Sequence, residues 1–126
     1  MSVVVKITGG PTTQVDWVKG MNAQRALEAA WRRLNAESAP KRVFTYELQY
    51  FGELGYLVVM INDTHETYST TLEPNFFWEF YYGTNPATVG IDQQKLNDGD
   101  EIRFAYEPDD STASSAWKDI KRAAGG

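Results

Sequence analysis

Thr13-Gln14-Val15-Asp16-Trp17-Val18-Lys19, then Gly20-Met21-Asn22, then Ala23-Gln24-Arg25-Ala26-Leu27-Glu28-Ala29-Ala30-Trp31-Arg32-Arg33-Leu34, carries a change of hydrophobic period. Val15 and Trp17 fall on one side of a chain with period two, the spacing of a half-buried strand. Gly20 closes that segment and Asn22 is a plausible N-cap. From Ala23 the apolar positions move to helical spacing: Ala23, Ala26, Leu27, Ala30, Trp31 and Leu34 form one stripe, with Gln24, Arg25, Glu28, Arg32 and Arg33 away from it. A strand running straight into an amphipathic helix excludes an all-β fold and fixes where the helix lies.

Upstream, Val3, Val5 and Ile7 alternate with Val4 and Lys6, and Gly9-Gly10-Pro11 forces a turn, so residues 1–19 read as a hairpin. Downstream, Pro40 marks the end of the helix. Val43 to Tyr50 alternates again, with Phe44, Tyr46, Leu48 and Tyr50 on one side; a Gly52/Gly55 turn leads to a further strand from Tyr56 to Ile61. A polar loop follows, then the aromatic strand Phe76-Phe77-Trp78-Glu79-Phe80-Tyr81-Tyr82. The last strand, Glu101 to Tyr106, points Ile102, Phe104 and Tyr106 inward behind the tight-turn signal Asn97-Asp98-Gly99-Asp100. Strand, strand, helix, then strands with no second long helix predicts an α+β domain over residues 1–108, one helix laid across one face of a mixed sheet. Residues 109–126 read as a flexible or short-helical tail, small and polar from Asp109 to Ser115, with a stretch around Trp117 and Ile120 that suits two helical turns.

Composition bounds the chemistry. At 126 residues, with 42% hydrophobic and 23% charged residues, the chain suits one domain; 13% aromatic residues predict an aromatic core or partner face. Zero Cys excludes disulfides, a thiolate nucleophile and Cys-ligated metals. The net charge of −5 argues against a nucleic-acid partner, which calls for a basic stripe. The opening Met1-Ser2-Val3-Val4-Val5-Lys6-Ile7 has no secretory pattern, and no run of about 18 apolar residues predicts a membrane span, so a soluble cytoplasmic protein is expected. His65 has no second His and no Cys beside it and reads as a polar loop residue. The acidic residues from Asp98 to Asp110 lack the ligand order of a calcium loop. No catalytic arrangement is recognisable, so no enzyme activity, cofactor or metal site is expected.

From about Tyr46 to Tyr106 the sequence resembles the β-grasp domain of the transcobalamin C-terminal-like family. The residues that carry this are Phe51-Gly52, Met60-Ile61-Asn62, the Phe77-Trp78-Glu79-Phe80-Tyr81-Tyr82-Gly83 strand, Gly90-Ile91-Asp92 and Leu96 through Phe104. The resemblance implies a β-grasp (ubiquitin-like) fold and, for function, a module that covers a corrinoid-like small molecule with Trp78, Tyr81 and nearby loops. Trp117 is a further candidate for such a ligand or partner surface. Trp78 and its neighbours equally fit cross-strand core pairs, which is the simpler reading.

Leu96 through Phe104 is also similar to the last strand of ubiquitin-like modifiers and sulfur carriers, whose tails end in Gly-Gly, and Gly125-Gly126 stand at the end of this sequence. That likeness implies a modifier whose Gly126 is activated by an ATP-dependent enzyme and passed to an acceptor, with Lys121 and Arg122 contacting acidic channel walls. The partners would then be activating enzymes, conjugating enzymes and an acceptor protein. The leading expectation is this conjugation role. The rival expectations are a ligand-binding module and a protein-interaction scaffold using an open sheet edge. One departure stands out: the tail from Glu107 to Gly126 spans roughly 60 Å if extended at about 3.3 Å per residue, longer than the channels of sulfur-carrier enzymes accept.

Overall fold

The computed structural model describes residues 1–37, 44–66 and 76–108. Strands β1 (Ser2–Ile7) and β2 (Thr12–Asp16) form the expected antiparallel hairpin, with Val3 opposite Val15 and Val5 opposite Thr13. Helix α1 (Ala23–Glu37) begins where the period changes. The Asn22 side chain accepts the Arg25 backbone N–H at 2.8 Å, satisfying one of the amides that the first helical turn leaves without a partner. Ala23, Ala26, Leu27 and Ala30 are fully buried against the sheet, and Leu34 is half-buried. Trp31, expected in the same stripe, is 39% exposed. At 3.6 residues per turn it lies about 70° round the helix from the middle of the stripe, at its margin.

The remaining strands are β3 (Tyr46–Tyr50), β4 (Tyr56–Ile61), β5 (Thr64–His65), β6 (Phe76–Tyr82), β7 (Asn85–Pro86) and β8 (Glu101–Pro108). Among the described residues they form two sheets, one ordered β2-β1-β8-β6-β7 and one ordered β3-β4-β5. The first is mixed: β8 runs parallel to β1, with Val5 opposite Ile102, and antiparallel to β6, with Phe80 opposite Phe104. This is an α+β domain, as the order of elements predicts, but the expected single sheet is corrected to two.

The reason is the outer edge of β4. Asn62 and Asp63, both at positive φ, turn the chain straight back so that β5 pairs with Met60 and Ile61; the sequence reading took this segment for loop. At the other end of the same edge, Ile91 donates its N–H to the Tyr56 carbonyl (2.9 Å) and Tyr56 donates its N–H to the Asp92 carboxylate (2.8 Å). With both ends taken, β6 cannot join β4 and pairs elsewhere.

The core lies between α1 and the five-stranded sheet, where Val3, Val5, Ile102, Phe104, Trp78 and Phe80 meet Leu27, and Phe44, Val58 and Ile61 extend it towards the smaller sheet. Phe77 and Glu79, on the other side of β6, are buried as well, so β6 is enclosed on both faces, as a near-continuous apolar run implies. No helix among the described residues is long and apolar enough to cross a membrane.

Candidate functional site

Trp78, offered by the sequence as a stacking platform, is only 5% exposed. Its indole N–H donates to the Thr64 carbonyl at 2.9 Å, and its backbone N–H donates to the Glu66 carboxylate at 2.7 Å. The Tyr106 hydroxyl donates to the His65 carbonyl at 2.7 Å, and the Tyr106 ring lies 5.2 Å from those of both Phe76 and Trp78. The 64–66 segment therefore fastens the small sheet to the edge of β6, and Trp78 is the central piece of that seam. Its ring is spent on packing.

Tyr81 points to the opposite face. Its hydroxyl meets both carboxylate oxygens of Glu107, at 2.8 and 2.9 Å, and the Arg103 guanidinium sits 4.0 Å above its ring in a cation–π contact. Burial, and after it the bond to Glu107, push the Tyr81 hydroxyl up to about 12, so it remains a protonated donor at neutral pH. Trp117, Lys121, Arg122, Gly125 and Gly126 lie outside the described residues.

Two side chains outside the predicted set form an exposed aromatic surface. Tyr50 and Tyr56 are paired across the β3–β4 hairpin, with ring centroids 5.2 Å apart and planes inclined at 51°. They share a face with Leu48 and Val58, two residues back along each strand, but stand at the turn end of the hairpin, where the core stops. Tyr50 is 62% exposed and Tyr56 38%. Of the aromatic pairs among the described residues, this is the one in which both residues are exposed.

The hairpin beneath these rings is held firmly. Phe51 donates its N–H to the Gly55 carbonyl at 2.8 Å, and a single 3₁₀ turn (Gly52–Leu54) closes the connection with Gly52 and Gly55 at positive φ. Against it rests the 90–93 segment: Gly90 donates its N–H to the Leu54 carbonyl at 2.7 Å, and Gln93 donates from its side chain to the Glu53 carbonyl at 2.9 Å. A Cβ at position 90 would stand 2.5 Å from the carbonyl oxygens of Leu54 and Tyr56, so only glycine permits this approach. The two phenols thus project from a preorganised base.

Apart from that surface, a groove of about 900 Å³ runs between β2 and α1, lined by Val15, Val18 and Met21 and, from the helix, by Arg25, Glu28, Arg32 and Arg33. Arg33 donates across it to the Gln14 carbonyl at 2.8 Å, and Arg32 pairs with Glu28 at 2.9 Å. Among the described residues no group of three or more His, Asp or Glu side chains is placed to hold a metal ion.

The family model described as Domain of unknown function (DUF4430) matches residues 20–108, from the rim of this groove to the end of β8. The chain belongs to the DUF4430 family. The matched span takes in the tyrosine hairpin, its 90–93 support and the aromatic strand, and leaves out residues 109–126, on which a conjugation role depends. No curated protein matches. Two solved structures show the fold. Haptocorrin in complex with Cbi aligns with a TM-score of 0.61 at 18% identity, over 86% of this chain and 25% of haptocorrin. A protein of Ruminococcus gnavus described as a candidate metal-binding protein aligns with a TM-score of 0.55 at 14% identity, over 86% of this chain and 96% of its own. The chain therefore spans a quarter of the length of haptocorrin.

For a DUF4430 chain, sequence reasoning had one signal for the exposed pair. Tyr50 and Tyr56 stand close on either side of the Gly52/Gly55 turn, and a turn closed between Phe51 and Gly55 sets them opposite each other. Period-two alternation put Tyr50 on one side with Phe44, Tyr46 and Leu48, and carries no information on where a sheet outruns its core.

Proposed function

We propose that this chain is a β-grasp module that binds a planar small molecule by stacking it on the Tyr50 ring, with the inclined Tyr56 ring against its edge, with a corrinoid as the first candidate and no chemical step of its own. The observation that carries the reading is the pair of solvent-facing tyrosine rings on a hairpin pinned by Gly90, Ile91 and Asp92. The β-grasp assignment is supported by the antiparallel hairpin β1–β2, the helix that follows it, and the parallel placement of β8 beside β1. The fold likeness to haptocorrin, a quarter of whose chain this one spans, supports a role as one wall of a larger binding site. It favours ligand binding over conjugation through Gly126.

Calorimetric titration with cobinamide and with cobalamin tests the reading. Saturable binding is expected, and Tyr50→Ala with Tyr56→Ala should weaken it by about 1–3 kcal/mol, the range for removing an aromatic stacking platform. Absence of saturable heat with both corrinoids, or equal affinity in the double variant, overturns it.

A further inference from the structure

Among the described residues strand β2 ends the five-stranded sheet, and its pairing with β1 shows which of its backbone groups turn outward. Ile7 donates its N–H to the Pro11 carbonyl at 2.9 Å and Trp17 donates to the Met1 carbonyl at 3.2 Å; between them Thr13 faces Val5 and Val15 faces Val3. Successive residues of an antiparallel strand turn their N–H and C=O to opposite sides. Odd-numbered residues of β2 therefore bond to β1, while Thr12, Gln14 and Asp16 present theirs outward. The Arg33 guanidinium, on the Gln14 carbonyl at 2.8 Å, confirms that direction.

Alongside this open edge lies the groove shared with α1. Its bottom is apolar, with Val15 and Met21 buried and Val18 exposed. Its helix wall sets Arg25, Arg32 and Arg33 against a single Glu28, with Asp16 at the strand rim. The wall is basic although the chain as a whole carries −5. An open edge supplies the main-chain groups for strand addition, and pockets beside it read alternate side chains.

We infer that this groove receives an extended acidic peptide, added as a sixth strand on the outer edge of β2. The peptide's main chain bonds to Thr12, Gln14 and Asp16. The peptide's helix-side side chains carry the carboxylates, their methylene stems resting on Val15, Val18 and Met21 while the carboxylates meet Arg25 and Arg32, and the intervening side chains point to the other face. Arg33 leaves the Gln14 carbonyl to an incoming peptide N–H and turns its fork to a carboxylate, exchanging a neutral acceptor for a charged one. Three arginines fixed on one helix face select against basic strands, which would leave cations opposed. The surface is separate from the tyrosine hairpin, so the two readings stand or fall independently.

The test uses the full chain, ¹⁵N-labelled, and a fluorescein-labelled peptide of about eight residues alternating valine with glutamate, a length that spans one strand. Saturable binding is expected, with the Gln14 and Asp16 amide resonances moving most. Arg25→Glu with Arg32→Glu should weaken binding at least tenfold while circular dichroism stays unchanged, since Arg32 is largely exposed. Replacing glutamate by lysine in the peptide, or N-methylating alternate peptide amides, should abolish binding. The inference is overturned by no saturable change up to about 1 mM peptide, by equal binding of the lysine peptide, or by equal binding of the N-methylated one, which would reduce the groove to a simple anion contact.

Discussion

The five-stranded sheet and the three-stranded sheet use their aromatic residues in opposite ways. In the larger sheet, Phe80 and Phe104 stack at 5.2 Å across β6 and β8 and are sealed under α1; in the smaller, Tyr50 and Tyr56 meet at the same 5.2 Å and face water. Equal ring spacing, with the planes 14° apart in the first pair and 51° in the second, thus serves cohesion in one place and display in the other, and a third layer covers only the first pair. Stability is concentrated in the sheet that carries the helix, and the smaller sheet depends on a few backbone clasps to hold its exposed surface in position.

Three substitutions break or sharpen this contrast. The largest effect belongs to Phe104→Ala, which empties a fully buried site beneath α1; it should lower unfolding free energy by about 3–5 kcal/mol in urea titration. A loss below about 1 kcal/mol would mean that the larger sheet is not the stable half. Gly90→Ala comes next, at about 2 kcal/mol, because its Cβ must displace the Leu54 and Tyr56 carbonyls. Hydrogen exchange should show protection falling at Leu57 and Ile61 while Val5 and Phe104 keep theirs. Uniform loss of protection would show the two sheets opening as one unit and end the contrast.

The smallest effect is alkaline. Above about pH 10 the unfolded chain releases its tyrosine protons, whereas the folded chain holds that of Tyr81 until about 12, chiefly through burial and then through Glu107. The unfolded state therefore binds fewer protons in that window, and stability falls as pH rises through it. Tyr82, raised by its bond to Asp100 and then by burial, adds in the same direction. Tyr81→Phe should make the decline of the urea midpoint between pH 10 and 12 shallower than in the parent chain. An unchanged slope would show that the Tyr81–Glu107 contact does not hold this proton.

The hairpin and helix were legible in the sequence because each announces itself locally. Val3, Val5, Val15 and the Ala23-to-Leu34 stripe carry their period within a few residues, and Asn22 and Gly20 mark their boundary with one side chain and one φ. The split into two sheets was not legible, since it depends on Ile91 and Asp92 reaching an edge that lies more than 30 positions earlier in the chain, and no period records such a meeting. Trp78 shows the same limit at the candidate site. Its aromatic strand was plain, but its place in the seam is decided by Thr64 and Glu66, which alternation left in a loop. The β2–α1 groove was invisible for a related reason: Arg25 and Arg32 read as a solvated helix face until the open edge of β2 is placed beside them.

The parallel pairing of β1 with β8 sets the timing of folding during synthesis. Val4 and Val5 find their partners at Glu101 and Ile102, so β1 waits through the synthesis of about a hundred residues for β8. At about 5–20 residues per second, the β1–β2 hairpin spends several seconds with one edge open and its apolar face only part-covered. The order of synthesis thus makes the nascent hairpin the point of this domain most exposed to wrong pairing, and a chaperone that shields short apolar strands would act on residues 2–16 before the strands that follow.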